Sequence, residues 1–122
     1  MKKFFLFLFL IFSNVSNSFS AEINFTKDIF DKAQKDGKTV VINSWNKYCG
    51  TCIRQEKVFK QARNDFQNVL FLTFEQSNKK IANLLNIDYR STIVVYKNNK
   101  EVARAIGIVK KDKIYSLIKA GI

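Results

Sequence analysis

Cys49 and Cys52 are the two cysteines of this 122-residue chain, and their C-x-x-C spacing puts two sulfurs within reach of each other. Such a pair can cycle between dithiol and disulfide, act as a fixed staple, or supply part of a metal site. Zinc prefers four Cys or His ligands, and the chain has no histidine, so a complete intramolecular zinc site lacks donors. The same absence excludes hydrolytic triads that need an imidazole. A staple is a weak use of the pair, because closing so short a loop removes little unfolded-chain entropy. Two unrelated buried cysteines are the third alternative. No phosphate-binding glycine loop and no metal-ligand cluster among the ten acidic residues competes with the pair.

The redox use has a physical logic if the motif opens a helix. Free N–H groups and the helix dipole then favour the thiolate of the first cysteine, lower its pKa and make Cys49 the attacker. Cys52, one turn on and more buried, is the resolving thiol that attacks a mixed disulfide on Cys49. Lys47 adds positive charge two residues earlier, either assisting the thiolate or simply solvating a loop.

The flanking elements fit that requirement. Thr39–Ile42 is a short β-branched run, too apolar to alternate, which predicts a strand covered on both faces as in a parallel sheet. The residues from Cys49 to about Asn64 place Ile53, Val58, Phe59 and Ala62 at helical spacing. Before them, Thr26 caps a helix over Lys27–Asp36, with Ile29, Phe30 and Ala33 on one side and Gly37 at its end. After them come a buried strand over Val69–Phe74, a helix over Lys79–Leu85 and a strand over Thr92–Tyr96. Asn98-Asn99 makes a hairpin turn into an antiparallel edge strand over Glu101–Ile106, and a helix over Lys110–Ala120 puts Ile114, Leu117 and Ile118 inward. The order α-β-α-β-α-β-β-α predicts an α/β fold, a mixed four-stranded sheet with helices on both faces. Ligands of such sheets gather beyond strand C-termini, where the cysteines fall.

Residues 1–20 stand apart from this pattern. Lys2 and Lys3 precede an apolar run from Phe4 to Phe12 and a Ser/Asn-rich stretch, the order of a secretory signal peptide. Ser18 and Ser20 supply the small residues for cleavage before Ala21, leaving residues 21–122 as one domain. The run is about half the ~20 residues a membrane-spanning helix needs. Export leads to the periplasm, where cysteines can pair. The net charge drops from +11 to +9 as the two lysines leave. Those charges are scattered, and are read as solvated helix faces rather than a nucleic-acid surface.

Trp45-Asn46-Lys47-Tyr48-Cys49-Gly50-Thr51-Cys52 resembles the W-x-x-W-C-G-x-C segment of thioredoxins. Asp36–Ile42 is similar to the K-x-G-K-P-V-L-V lead-in of exported thioredoxin-like proteins, with Thr39 for the proline. Cys52–Glu56 resembles the C-x-x-x-E helix start of bacterial thioredoxin-like domains, including the C-terminal domain of the membrane electron conductor DsbD, although Phe59 arrives one residue early. Thr92–Asn99 resembles the P-T-L-L-x-F-K-N-G strand and hairpin, and Gly107 falls on a family glycine. The likeness covers nearly all of residues 23–122.

The resemblance implies a thioredoxin fold and a thiol:disulfide oxidoreductase, more in the reducing than the oxidising direction. Cys49 and Cys52 are the implied catalytic residues, and Trp45, Tyr48, Gly50, Thr51, Ser91 and Thr92 the surface that meets substrate. Trp45 and Tyr48 also serve as packing. The implied partners are protein disulfides or thiols and a membrane dithiol donor, with no dissociable cofactor, no metal and no nucleic acid, acting as a monomer. Delivery of reductant to apocytochrome cysteines is a narrower variant.

Two positions depart from the family. Ser91 stands where the family has a cis-proline facing the disulfide, so either a cis non-proline bond costing ~3–4 kcal/mol is kept or the loop differs. A trans loop with a solvated hydroxyl is the plainer alternative. Asn43 stands where many thioredoxins have a buried acid that manages the resolving cysteine's proton, which leaves water or Glu56 for that task. These departures and the basic charge also allow a fold-retaining module that binds a protein partner without turnover.

Overall fold

The computed structural model describes residues 22–122; the signal peptide read at residues 1–20 lies outside the described residues. The chain order is β1 (Ile23–Asn24), α1 (Lys27–Lys35), β2 (Thr39–Trp45), α2 (Gly50–Asp65), β3 (Val69–Glu75), α3 (Lys79–Leu85), β4 (Thr92–Lys97), β5 (Lys100–Ile106) and α4 (Lys111–Lys119). The sheet runs β1-β3-β2-β4-β5. β1, β2 and β3 are parallel, and β4 and β5 are antiparallel to their neighbours.

The sheet has five strands where the sequence predicts four. β1 pairs only Ile23 with Leu72 and Asn24 with Thr73, and a two-residue strand carries no hydrophobic period to read. β2 also runs three residues past its apolar run, because Asn43, Ser44 and Trp45 continue to pair with Thr73, Phe74 and Glu75 of β3.

β2 and β4 are covered on both sides, as a continuous apolar run requires. Successive side chains of a strand point to opposite faces. Val40, Ile42 and Val94 accordingly join Leu72, Phe74, Ala33, Ala82 and Leu85 in the layer under α1 and α3. Val41, Ile93 and Val95 join Phe71, Phe59, Ala62, Ile114 and Ile118 under α2 and α4. Ile29 and Ile53, read as apolar positions of their helices, remain exposed, as does Leu84 of α3; Leu117 is partly buried against the second layer.

Local chemistry fixes the ends. Thr26 Oγ1 accepts from the Ile29 amide at 3.2 Å and starts α1. Asn98 and Asn99 both take positive φ, 52° and 62°, as a two-residue hairpin with a type I′ turn demands. Arg104 on β5 donates to the carbonyls of Leu85 and Asn86 at 3.0 and 2.8 Å, satisfying acceptors left open at the end of α3. Gly121 lies so close to the sheet that a Cβ would fall 2.6 Å from Thr39 Cγ2 and 2.7 Å from Val95 Cγ1.

α4 is tied to the far end of α2 by Tyr115. Its ring meets Phe66 edge-on at 5.0 Å, and its hydroxyl donates to Asp65 Oδ2 at 2.6 Å. Burial, then the hydrogen bond to Asp65, pushes the phenol from 10.0 up to about 12. A raised phenol favours the folded state while it is neutral, so this contribution is complete below pH 10 and is lost as pH rises through 12. Denaturant titrations across that window should show falling stability, and Tyr115→Phe should flatten the fall.

Candidate functional site

β2 ends at Trp45 in the middle of the sheet, and Asn46–Tyr48 turn the chain into α2. Tyr48 makes that turn at φ 61° and is 100% exposed. Cys49 follows as the N-cap of α2, in an extended conformation, and its Sγ accepts from the Cys52 amide at 3.2 Å. The sulfur thus occupies the place of a capping oxygen, among N–H groups that have no partner within the helix. The two cysteines form a disulfide with a Cα–Cα distance of 5.2 Å.

Cys49 is 2% exposed and Cys52 8%, which corrects the expectation that Cys52 is the more buried of the two. The side chain of Ser91 stands over both sulfurs: Oγ lies 3.3 Å from Cys49 Sγ and 3.1 Å from Cys52 Sγ. No cis peptide bond occurs among the described residues, and Ser91 takes φ 63° instead. The loop therefore differs from the cis alternative. Its hydroxyl is not solvated either, since Ser91 is 4% exposed.

Left-handed backbone at a non-glycine residue costs about 1–2 kcal/mol, and a network of hydrogen bonds holds Ser91 there. Its amide donates to Ser44 O at 2.9 Å, and its carbonyl accepts from Gly107 N at 3.0 Å. Gln55, fully buried in α2, donates from Nε2 to Ser91 O at 3.1 Å and to Ile108 O at 2.9 Å. Its Oε1 has no partner among the described residues. Ser44 Oγ donates to Tyr89 O at 2.9 Å and accepts from Thr92 N at 3.2 Å. Thr92 is buried with its hydroxyl donating to Tyr89 O, so its side chain supports the loop from below.

The remaining singled-out residues surround the pair. A cavity of about 340 Å³ opens beside it, lined by Asn43, Trp45, Lys47, Tyr48, Cys49, Cys52 and Glu56 among others. Gly50 is exposed and Thr51 partly so at the start of α2. Glu56 is ion-paired with Arg63 at 2.6 Å, and burial followed by the Glu56 carboxylate raises the Glu22 carboxyl above its ordinary value. Exposed apolar side chains stand close along the chain: Tyr48 before Cys49, Ile53 after Cys52, Tyr89 two residues before Ser91, and Ile106 opposite Thr92. Among the described residues no group of three or more Cys, Asp or Glu forms a metal-binding cluster.

Ser44, Gln55 and Tyr89 escaped the sequence reading. The available signal was a serine inside a buried strand and a glutamine on the apolar side of α2, both polar residues that burial obliges to find partners. Ser44→Ala leaves the Thr92 amide without its acceptor in a dry setting and should cost about 1–3 kcal/mol in chemical unfolding.

The family model for thioredoxin matches residues 21–120. The chain is 35% identical over 81 residues to a thioredoxin of Mycoplasma genitalium, covering 66% of this chain and 79% of that one. Thioredoxin F from spinach chloroplast superimposes with a TM-score of 0.70 at 27% identity, over 84% of this chain and 94% of the spinach chain. Trxlp from Edwardsiella tarda EIB202 shares the fold, with a TM-score of 0.73 at 20% identity over 80% and 98% of the two chains. With a family model spanning nearly all of the described residues and a dithiol motif opening α2 at the end of a central parallel strand, this chain belongs to the thioredoxin family.

Proposed function

We propose that this protein is an exported thiol:disulfide oxidoreductase that reduces protein disulfides in the periplasm through Cys49 and Cys52. The observation that carries the reading is the cap: Cys49 Sγ accepts the Cys52 amide at the start of a 16-residue helix, where negative charge on sulfur is favoured. The thioredoxins it resembles add the activity class.

The cycle needs no dissociable group. In the dithiol form the Cys49 thiolate attacks one sulfur of a substrate disulfide. A Cys49–substrate bond forms, and the other substrate sulfur leaves as a thiolate that takes a proton from water. Cys52 then loses its proton and attacks Cys49 Sγ, which forms the intramolecular disulfide and releases the second substrate thiol. Two electrons pass to substrate, and a dithiol donor must return them. A membrane donor is the proposed source, because an oxidising compartment offers no soluble one. The exposed Tyr48, Ile53, Tyr89 and Ile106 are the proposed contact surface for a protein substrate. Export rests on the charge, apolar run and small residues of 1–20.

Cys49→Ser should abolish insulin-disulfide reduction while leaving the fold intact, and unchanged turnover would remove the reading. Cys52→Ser should accumulate mixed disulfides visible on non-reducing gels. Equilibration with glutathione or dithiothreitol decides direction: a potential near about −270 mV, the thioredoxin value, supports a reductant, and one near about −120 mV an oxidant. Fractionation and N-terminal sequencing should find a periplasmic chain starting at Ala21.

The burial of Cys49 favours one rival, a module that binds a protein partner without turnover. Equal capture of a partner by the native protein and the double Cys49/Cys52 serine variant would support it over the enzyme.

A further inference from the structure

Ser91 has no part in a redox cycle run by the two cysteines alone, yet it touches both. Among the described residues, the hydrogen-bond partners of its hydroxyl are the two sulfurs alone, at 3.3 and 3.1 Å. The group is buried, so water does not compete for it, and a hydrogen bond to an ionised partner is worth roughly twice a neutral one. The loop carrying it is fixed from three sides, by Ser44 O, Gly107 N and Gln55 Nε2.

A hydroxyl has one proton to donate and lone pairs to accept with. Between two sulfurs it must donate to the one that carries charge and accept from the one that carries a proton. We infer that the Ser91 hydroxyl is a catalytic hydrogen-bond donor that follows the negative charge from Cys49 to Cys52 during turnover, with Gln55 as the positioning residue that holds its loop. In the dithiol form it donates to the Cys49 thiolate and accepts from the Cys52 thiol. Once Cys49 is bonded to substrate its charge is gone, and the hydroxyl rotates toward Cys52. Cys52 gives its proton to water entering from the adjoining cavity, which it lines. The resulting thiolate, now the acceptor of the Ser91 O–H, attacks Cys49 Sγ, breaks the Cys49–substrate bond and releases the substrate thiolate, which is protonated by water. One hydroxyl thereby assists both half-reactions, at a site where Asn43 offers no exchangeable acid.

The inference rests on the redox reading, and the two fail separately: activity of Cys49→Ser would remove the reaction, whereas the tests below concern Ser91 alone. Ser91→Ala and Ser91→Gly both remove the hydroxyl, and glycine also relieves the left-handed backbone. In the reduced proteins, the ultraviolet thiolate titration of Cys49 should move upward by about one to two pH units in both variants. Decay of the mixed disulfide formed with a peptide disulfide should slow about ten-fold or more. Gln55→Leu should move the midpoint in the same direction and by less. The unmutated protein supplies a check that needs no variant to fold: in carbon-13 spectra the Ser91 Cβ should titrate with the same midpoint as the Cys49 Cβ. An unaltered midpoint in either hydroxyl-free variant, or a Ser91 Cβ resonance that ignores the Cys49 titration, overturns the proposal. An unaltered midpoint in Gln55→Leu overturns the positioning role of Gln55.

Discussion

A single amide governs the site: the N–H of Cys52, donated to Cys49 Sγ at the first turn of α2. It makes a cysteine serve as a helix cap, so the helix and the reactive sulfur have the same starting point. The cap is useful only if α2 begins where β2 ends, and β2 can end in mid-sheet because β3 and β4 pair it on both sides. The two apolar layers then press α2 and α4 onto one face and α1 and α3 onto the other. The core thus acts on the chemistry through position, by fixing where the helix N-terminus lies.

The Ser91 loop is the second dependence, and it shows how one altered side chain draws in others. A serine at φ 63° lacks the ring constraint that would fix a proline. Its conformation is set instead by partners from three parts of the chain: Ser44 of β2, Gln55 of α2 and Gly107 just beyond β5. Gln55 is the telling member. A fully buried glutamine whose Oε1 has no partner among the described residues is a costly choice on an apolar helix side, and its amide N–H groups go to the carbonyls of Ser91 and Ile108. Rigidity that proline would carry within one residue is distributed here over a network.

What could be read from the sequence was what periodicity and composition control. The unbroken apolar run of β2, the Asn-Asn hairpin, the Thr26 cap and the helical spacing after Cys52 each obey a local rule, and each element formed where that rule places it. The cysteine pair was legible because its spacing suits a helix start. The misses are equally physical. β1 owes its existence to the edge of β3 and has no pattern of its own. The near-complete burial of Cys49 is a matter of tertiary packing, with Ser91 reaching it from 42 residues away, and the trans, left-handed form of Ser91 comes from partners no local window contains. Ser44 and Gln55 looked like ordinary polar residues until tertiary contacts gave them carbonyls to hold.

The shortest strand, β1, guards an edge. β3 carries Val69-Leu70-Phe71-Leu72-Thr73-Phe74-Glu75, an apolar, β-prone segment of the kind that stacks with copies of itself when its edge is bare. On one side it is sealed by β2 along its full length. On the other, the pairing of Ile23 and Asn24 and the bond from the Phe25 amide to Thr73 O occupy it. A few residues before α1 therefore cover part of the outer edge of β3 against edge-to-edge pairing. Trimming them would alter the colloidal behaviour of the protein well before it disturbed the sulfurs.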